Sequence, residues 1–315
     1  MTRASAPRVV PMRAVAARQR GIALILVVWV IALMSVLLGS FALIARTENL
    51  QARHLFDSTT ARYAAEAGME RAIFELRRPD PALRWVGDGR PYEFEFDNAL
   101  VHVELTDESG KIDLNSAAGD LLQQMFLSAG LTLDKAAQLS DAIQDWRDPD
   151  DAPQPHGAEA GDYKSAGLSY VPRNSPFQTV SEVQQVLGMD YEIYSRIEPA
   201  ITIYAGGTQP NAAYAPLQAL LALPGMTPEL AQQIIQQRQQ MQPGQAGQPG
   251  APQLTLPDGT PVMANGGGNT YTVKSRATLA NGASAVLDAS IRLGGVGAAG
   301  RPYTVLRWRD EETSR

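Results

Sequence analysis

The stretch GIALILVVWVIALMSVLLGSFALIA, Gly21 to Ala45, decides the architecture: it is 25 residues without a charge. A helix of that length is about 37 Å long, enough to cross a bilayer. Inside lipid every backbone N–H and C=O must be bonded within the segment, so the span is helical. Five arginines precede it (Arg3, Arg8, Arg13, Arg18 and Arg20), with no acid among them. A basic flank stays cytoplasmic, which sends the roughly 270 residues that follow across the membrane.

Two kinds of processing are compatible with this N-terminus. A cleaved secretory signal would use the small-x-small site at Ser40-Phe41-Ala42, although its apolar region normally runs only about 7–15 residues. The alternative cut lies upstream. Arg18-Gln19-Arg20-Gly21 is a short basic leader ending in glycine, followed at once by Ile22-Ala23-Leu24. This resembles the processing site of type IV pilin-like proteins. In that family a membrane-embedded prepilin peptidase cuts on the cytoplasmic face after the glycine and the new N-terminus is methylated. The resemblance implies a 1–21 leader, cleavage between Gly21 and Ile22, an N-methylated Ile22 and a retained transmembrane helix over 22–45.

Charge agrees with export. The chain carries −6, and without residues 1–21 it holds 22 basic and 33 acidic residues. That balance makes the remainder a poor polyelectrolyte for nucleic acid or anionic lipid. There is no cysteine, so disulfides give no evidence of compartment.

Helical spacing continues past the membrane segment. No proline occurs between Pro11 and Pro79, and apolar residues recur at helical intervals over 46–78, with Arg77-Arg78 before Pro79 as a stop. A helix from Ile22 to Arg77 would be about 84 Å long. Next, Tyr92-Glu-Phe-Glu-Phe96 and Val101, Val103, Leu105 alternate about Asp97-Asn98, which predicts a hairpin within 90–108. Thr270–Ala277 and Ser284–Arg292 flank Asn281-Gly282, a two-residue hairpin turn, and Tyr303–Arg309 is a third strand of a 270–310 group. A sheet interrupted by about 165 residues implies an insertion between its strands. The fold class is therefore α+β.

The insertion reads as helical. Asp113-Leu-Asn115-Ser116 is expected to cap a helix around Asp120–Ser128, and a second spans Leu133–Arg147. Three turns share an apolar–Gly–apolar–polar pattern: Ala129-Gly-Leu-Thr132, Leu187-Gly-Met-Asp190 and Pro224-Gly-Met-Thr227. The last joins two apolar-periodic stretches and resembles a helix-hairpin-helix, a unit also found in SAM-like folds. Two subdomains follow, 109–205 with an acidic loop and 206–245. Residues 246–269 belong to a Gln, Pro and Gly-rich stretch and are expected to be a flexible linker.

Helix-hairpin-helix units can grip DNA phosphates through backbone N–H groups. A membrane-anchored DNA-binding or uptake protein is therefore the alternative function. Against it, Ser109–Pro243 holds seven basic and fifteen acidic residues, and phosphate affinity comes from Lys and Arg.

Six of those acids fall in 18 residues, from Asp145 to Asp162. Such a loop either folds around a hard cation, since calcium takes six to eight oxygens, or is a solvated loop whose aspartates cap helices. The spacing is not that of an EF-hand.

Several blocks occur in order: Gly110-Lys-Ile-Asp-Leu-Asn-Ser-Ala117, Ala142-Ile-Gln-Asp-Trp-Arg-Asp148, Gly157-Ala-Glu159 and Arg173-Asn-Ser-Pro-Phe-Gln-Thr-Val180. With the Arg-Gln-Arg-Gly leader they resemble the minor pseudopilin K family of type II secretion systems, over about Arg18–Ile203. The resemblance implies a pilin-like α+β domain with SAM-like helical insertions. It also implies Ca2+ held in the insertion by Asp145, Asp148, Asp150, Glu159 and Asp162. The expected place is the pseudopilus tip, initiating or capping assembly for protein export, with minor pseudopilins of I and J type as partners. The expected location is the inner membrane, single-pass, with the N-terminus cytoplasmic and the head periplasmic.

Most pilin-like subunits carry a glutamate five residues past the cut. That carboxylate is costly in lipid unless a neighbour's N-terminal amine pairs with it. Here the position is Leu26, and no acid occurs before Glu48. A tip subunit has no neighbour above it and can dispense with the pair. No catalytic constellation stands out. His54, His102 and His156 are scattered, and Gly266-Gly267-Gly268 lacks the strand–helix context of a phosphate loop. The expected function is binding and geometry, with no enzyme activity, nucleic acid or small-molecule substrate.

Overall fold

The computed structural model describes residues 20–241, 254–262, 267–294 and 301–311. The leader up to Gln19 lies outside them. The chain divides into two units, 1–56 and 57–315. The helix α1, Arg20–Leu76, supplies the first and begins the second. In the first unit it is the one helix, among the described residues, long and apolar enough to cross a membrane, with mean hydropathy 2.7. Ser35, Ser40 and Thr47 turn their hydroxyls back onto the carbonyls of Ile31, Leu37 and Leu43, so these polar groups are bonded within the helix.

In the second unit the chain continues through β1 (Asp88–Phe96), β2 (Ala99–Asp107), β3 (Ile112–Asp113), α2 (Gly119–Ser128), α3 (Leu133–Arg147), α4 (Ala160–Ser165) and α5 (Tyr191–Ile197). Then come β4 (Ile201–Thr202), α6 (Leu217–Leu221), α7 (Pro228–Gln240), β5 (Thr270–Leu279), β6 (Ser284–Leu293) and β7 (Tyr303–Glu311). The five long strands form one antiparallel sheet in the order β1-β2-β5-β6-β7. β2 and β5 are hydrogen-bonded neighbours although the whole helical region separates them in sequence, which is the insertion expected from the interrupted strand pattern.

The helix reaches the sheet through a stripe of small residues. Ala61, the adjacent pair Ala64 and Ala65, Gly68 and Ala72 recur at intervals of three or four positions, so they share one face. The alanines among them are buried, and Val101, Val103, Val273 and Ala289 lie in the same core. A Cβ at Gly68 would fall 2.1 Å from Ser275 Oγ and 2.8 Å from a Val101 methyl, so only glycine lets the helix lie this close. The opposite sheet face is polar. Glu104, Lys274, Asp288 and Arg309 are direct cross-strand partners over four strands, with charges alternating along the row.

The first hairpin turns at Asp97 and Asn98, both at positive φ (46° and 64°), as a two-residue primed turn requires. The second differs from expectation. β5 ends at Leu279 and β6 starts at Ser284, and Leu279 N–H bonds Ala283 O, so the connection has four residues with only Gly282 at positive φ.

The insertion builds its own core, with Leu122, Phe126, Leu139, Ile143 and Leu220 fully buried. Its three glycine turns have one physical basis. Gly130, Gly188 and Gly225 sit at φ 90°, 88° and 72°. Two residues on, the side chains of Thr132, Asp190 and Thr227 each accept the N–H at the third position of the next helix. At the first turn Gly130 N–H bonds Leu127 O and Leu131 N–H bonds Phe126 O, a Schellman cap.

Two expectations are corrected. Asp113, Asn115 and Ser116 do not cap α2, whose N-cap is Ala118 with no side-chain bond. Asp113 instead accepts the N–H groups of Asn115 and Gly206, Asn115 makes two bonds with the Phe177 backbone, and Ser116 donates to Gly207 O. The long-range partners outcompete the local cap. Within the expected linker, residues 254–262 form a small turn closed by Val262 N–H to Leu254 O at 2.7 Å. Leu254 is buried, and Leu256 and Val262 pack on the insertion core. These three anchors are sparse enough to be hidden by the surrounding composition. The linker positions 246–253 and 263–266 lie outside the described residues.

Candidate functional site

The acidic loop lies over one end of α3. Asp141 and Asp145 are one turn apart on that helix, and both receive backbone N–H groups from the loop 154–158. Gln154 N–H reaches Asp145 Oδ1 at 3.0 Å, and Ala158 N–H also bonds Asp145. His156 N–H reaches Asp141 Oδ2 at 3.0 Å, with His156 Nδ1 3.2 Å from the same oxygen. Close approach at this point depends on Gly157, where a Cβ would fall 1.8 Å from Asp145 Oδ2.

The far side of the loop is closed by Asn174, at φ 50°, whose Nδ2 donates to Asp150 O and Asp151 Oδ1, each at 2.9 Å. Beneath lies an aromatic floor. Trp146 is stacked on Phe177 at 6.1 Å and tilted against Tyr163 at 6.0 Å. Glu182 gathers Trp146 Nε1, Arg173 Nη1 and Gln178 N–H, which fixes the Arg173–Val180 segment. The Glu182 carboxyl is held below the usual range: burial alone would raise it, and these bonds and the Arg173 charge outweigh that.

The five candidate ligands stand differently. Asp145 is fully buried, with its oxygens given to backbone amides. Asp150 Oδ1 accepts Ala152 N–H, and Asp162 Oδ2 accepts Glu159 N–H in the first turn of α4. Among the described residues no hydrogen-bond partner meets buried Asp148 Oδ1 or the two carboxylate oxygens of Glu159. Glu159 and Asp162 face each other as a capping box at the start of α4, but the Asp162 N–H bonds the Glu159 backbone carbonyl, at 2.8 Å. Burial, then the charges of Asp145, Asp148, Asp151 and Asp150, push Glu159 up to about 7.

An orphaned carboxylate among four others is an electrostatic deficit that a hard cation cancels, so the donor chemistry fits Ca2+. Among the described residues no group of three or more His, Cys, Asp or Glu is gathered at ligand spacing. Backbone carbonyls and water would complete the shell. Gly21 and Ile22 lie in the first turn of α1.

Residues 98–206, from β2 through the acidic loop to just beyond β4, match the family described as type II secretion system (T2SS), protein K. Over these residues the chain is similar to the protein K family. It is 30% identical over 212 residues to type II secretion system protein K of Klebsiella pneumoniae, covering 61% of this chain and 64% of that one. The match thus spans just under two thirds of that relative. The protein K of Pectobacterium carotovorum is 25% identical over 257 residues, 71% of this chain and 76% of that one. Among solved structures, a chain of the GspK-GspI-GspJ complex from enterotoxigenic Escherichia coli aligns with TM-score 0.54 over 85% of this chain and 99% of that one, at 18% identity. That likeness establishes the mixed helix-and-sheet fold.

Asp141 and Glu182 escaped the reading of the sequence as functional residues. For Asp141 the available signal was its i, i+4 spacing to Asp145 on a helix bordering the loop. Glu182 had no local signal, because its partners are gathered from α3 and a separate loop.

Proposed function

We propose that this chain is a minor pseudopilin at the tip of the type II secretion pseudopilus, initiating or capping its assembly for protein export. The observation that carries the reading is the split sheet: α1 packs on a five-stranded sheet that is interrupted, between β2 and β5, by the helical insertion, and the match to protein K runs from β2 into that insertion. A bulky insertion suits one copy at a fibre end better than a close-packed shaft. Leu26 supports the same placement, since a shaft subunit would need a carboxylate there to pair with its neighbour's amine.

On this reading prepilin peptidase cuts between Gly21 and Ile22, and Ile22 is methylated. Residues 22–45 anchor the protein in the inner membrane with the head in the periplasm. The solved relative is part of a complex with GspI and GspJ, so pseudopilins of I and J type are the proposed partners. The work is binding and geometry rather than catalysis. Ca2+, held by Asp148 and Glu159 with oxygens from the surrounding loop, would neutralise the carboxylates and lock that loop.

The test is assembly. Full-length chain in detergent, mixed with I-type and J-type pseudopilins, is expected to co-elute with both as one complex. Failure to bind either one, with saturable duplex DNA binding at low salt instead, would replace this reading with the DNA-uptake alternative.

A further inference from the structure

We infer that Asp141, outside the expected ligand set, is a positioning residue for the cation site, acting through the backbone of His156 to set the carboxylate of Glu159. The inference rests on the calcium reading above and goes beyond it by assigning a role to a residue that need not touch the ion.

The geometry is a two-rung ladder. Asp145 holds Gln154 and Ala158, and Asp141, one helical turn away, holds His156 between them. Three alternate loop amides are thereby tied to α3, and the chain emerges at Glu159 with a fixed direction. Glu159 then begins α4, with its own N–H bonded to Asp162 Oδ2 at 2.9 Å. Its carboxylate is buried and faces Asp162 across the first turn of α4, yet among the described residues it carries no hydrogen bond, since the Asp162 N–H goes to the Glu159 carbonyl, so the backbone on both sides dictates its position. Asp141 is itself partnered: Oδ2 takes the His156 contacts, and Oδ1 lies 3.4 Å from Gln144 Nε2. A carboxylate engaged in this way shapes the site through the loop. Supporting residues of this kind typically change metal affinity by about 10–100-fold when removed.

The test uses the full-length chain in detergent and Ca2+ alone, titrated calorimetrically, with melting in EDTA as a second measurement. Asp141→Ala should weaken Ca2+ binding about tenfold or more. Asp141→Asn keeps an oxygen for the His156 N–H and should stay within about threefold of the wild type, and so should His156→Ala, which keeps the N–H itself. If Asp141→Ala does not fold, Asp141→Leu, of larger volume and equally without an acceptor for the His156 N–H, takes its place with the same expected loss, and unchanged Ca2+ binding in it would overturn the inference. Loss of binding in Asp141→Asn equal to that in Asp141→Ala would mean the charge itself is needed and would overturn the inference. So would loss in His156→Ala, which would make the imidazole a ligand. An Asp141→Ala variant that melts lower in EDTA yet binds Ca2+ unchanged would reduce Asp141 to a prop for the fold. A wild-type chain that binds no Ca2+ would remove the calcium reading and this inference together.

Discussion

Thr272, in the middle of the sheet, donates its hydroxyl to Glu108 Oε1 at 2.7 Å, although 164 positions separate the two residues. The same carboxylate receives Lys111 Nζ at 2.7 Å and the hydroxyl of Thr202 on β4. Glu108 thus ties the sheet to the root of the insertion at a buried point. Burial alone would raise its carboxyl, but the Lys111 charge and the bonds from Lys111, Thr202 and Thr272 outweigh it, and the group is held below its ordinary value. Glu108→Ala leaves Lys111 without its partner and should cost about 3–5 kcal/mol in urea unfolding. A loss under about 1 kcal/mol would contradict the role. Because the folded value is depressed, this stabilisation is present above the ordinary glutamate pKa of about 4.3 and is lost as pH falls through the folded value.

His102 gives the opposite pH dependence. Its Nδ1 lies 3.1 Å from Glu93 and its Nε2 3.2 Å from Glu104, with Arg276 its cross-strand neighbour on β5. The bond to Glu93 is the main cause that raises its pKa; desolvation opposes this, and Glu104 adds to it. A raised histidine stabilises fully below its unfolded value of about 6.5, and the contribution disappears as pH climbs through the folded value. The side chain is a third exposed, so solvent screening keeps the effect below about 1 kcal/mol. His102→Gln should flatten the pH dependence of melting between about 5 and 8. An unchanged slope would remove the histidine from the account.

Gly68 sets how closely α1 meets the sheet. Gly68→Ala should cost about 1–3 kcal/mol by overpacking against Ser275 and Val101. The companion change Gly39→Ala, with nothing within 4 Å of the added methyl, should leave head stability unaltered. Equal melting points for wild type and Gly68→Ala would refute the close approach.

Elements governed by short-range patterns were legible in the sequence. α3 ends where its periodicity ends, the Asp97-Asn98 turn follows from backbone preferences, and the glycine turns announce their own caps. What was hidden depends on distant partners. Asn115 looks like a cap but is claimed by Phe177, 62 positions away. Arg238 is buried on α7 and donates to Ala212 O, Ala215 O and Asp88 O, a bond to the start of β1 that no local motif announces. In the acidic loop, composition singled out the carboxylates. Only their partners distinguish Asp145, engaged with amides, from the orphaned Glu159.

Chelation should weaken the head. A cation bound only to the folded state stabilises by mass action, about 2.7 kcal/mol at a hundredfold excess over Kd. That corresponds to roughly 5–10 °C in a domain of this size. Adding EDTA should lower the melting temperature by that order, and excess Ca2+ should restore it. Superimposable curves with and without EDTA would count against a bound ion.

The central claim is that the apolar helix remains part of the mature protein after the leader is removed. Intact-mass and N-terminal peptide analysis of the chain, recovered from membranes of cells that make prepilin peptidase, tests it most directly. The account predicts a polypeptide that starts at a methylated Ile22, with Gly21→Val leaving the leader attached. A wild-type product starting near Phe41 or Leu43, released from the membrane without its apolar helix, would contradict it.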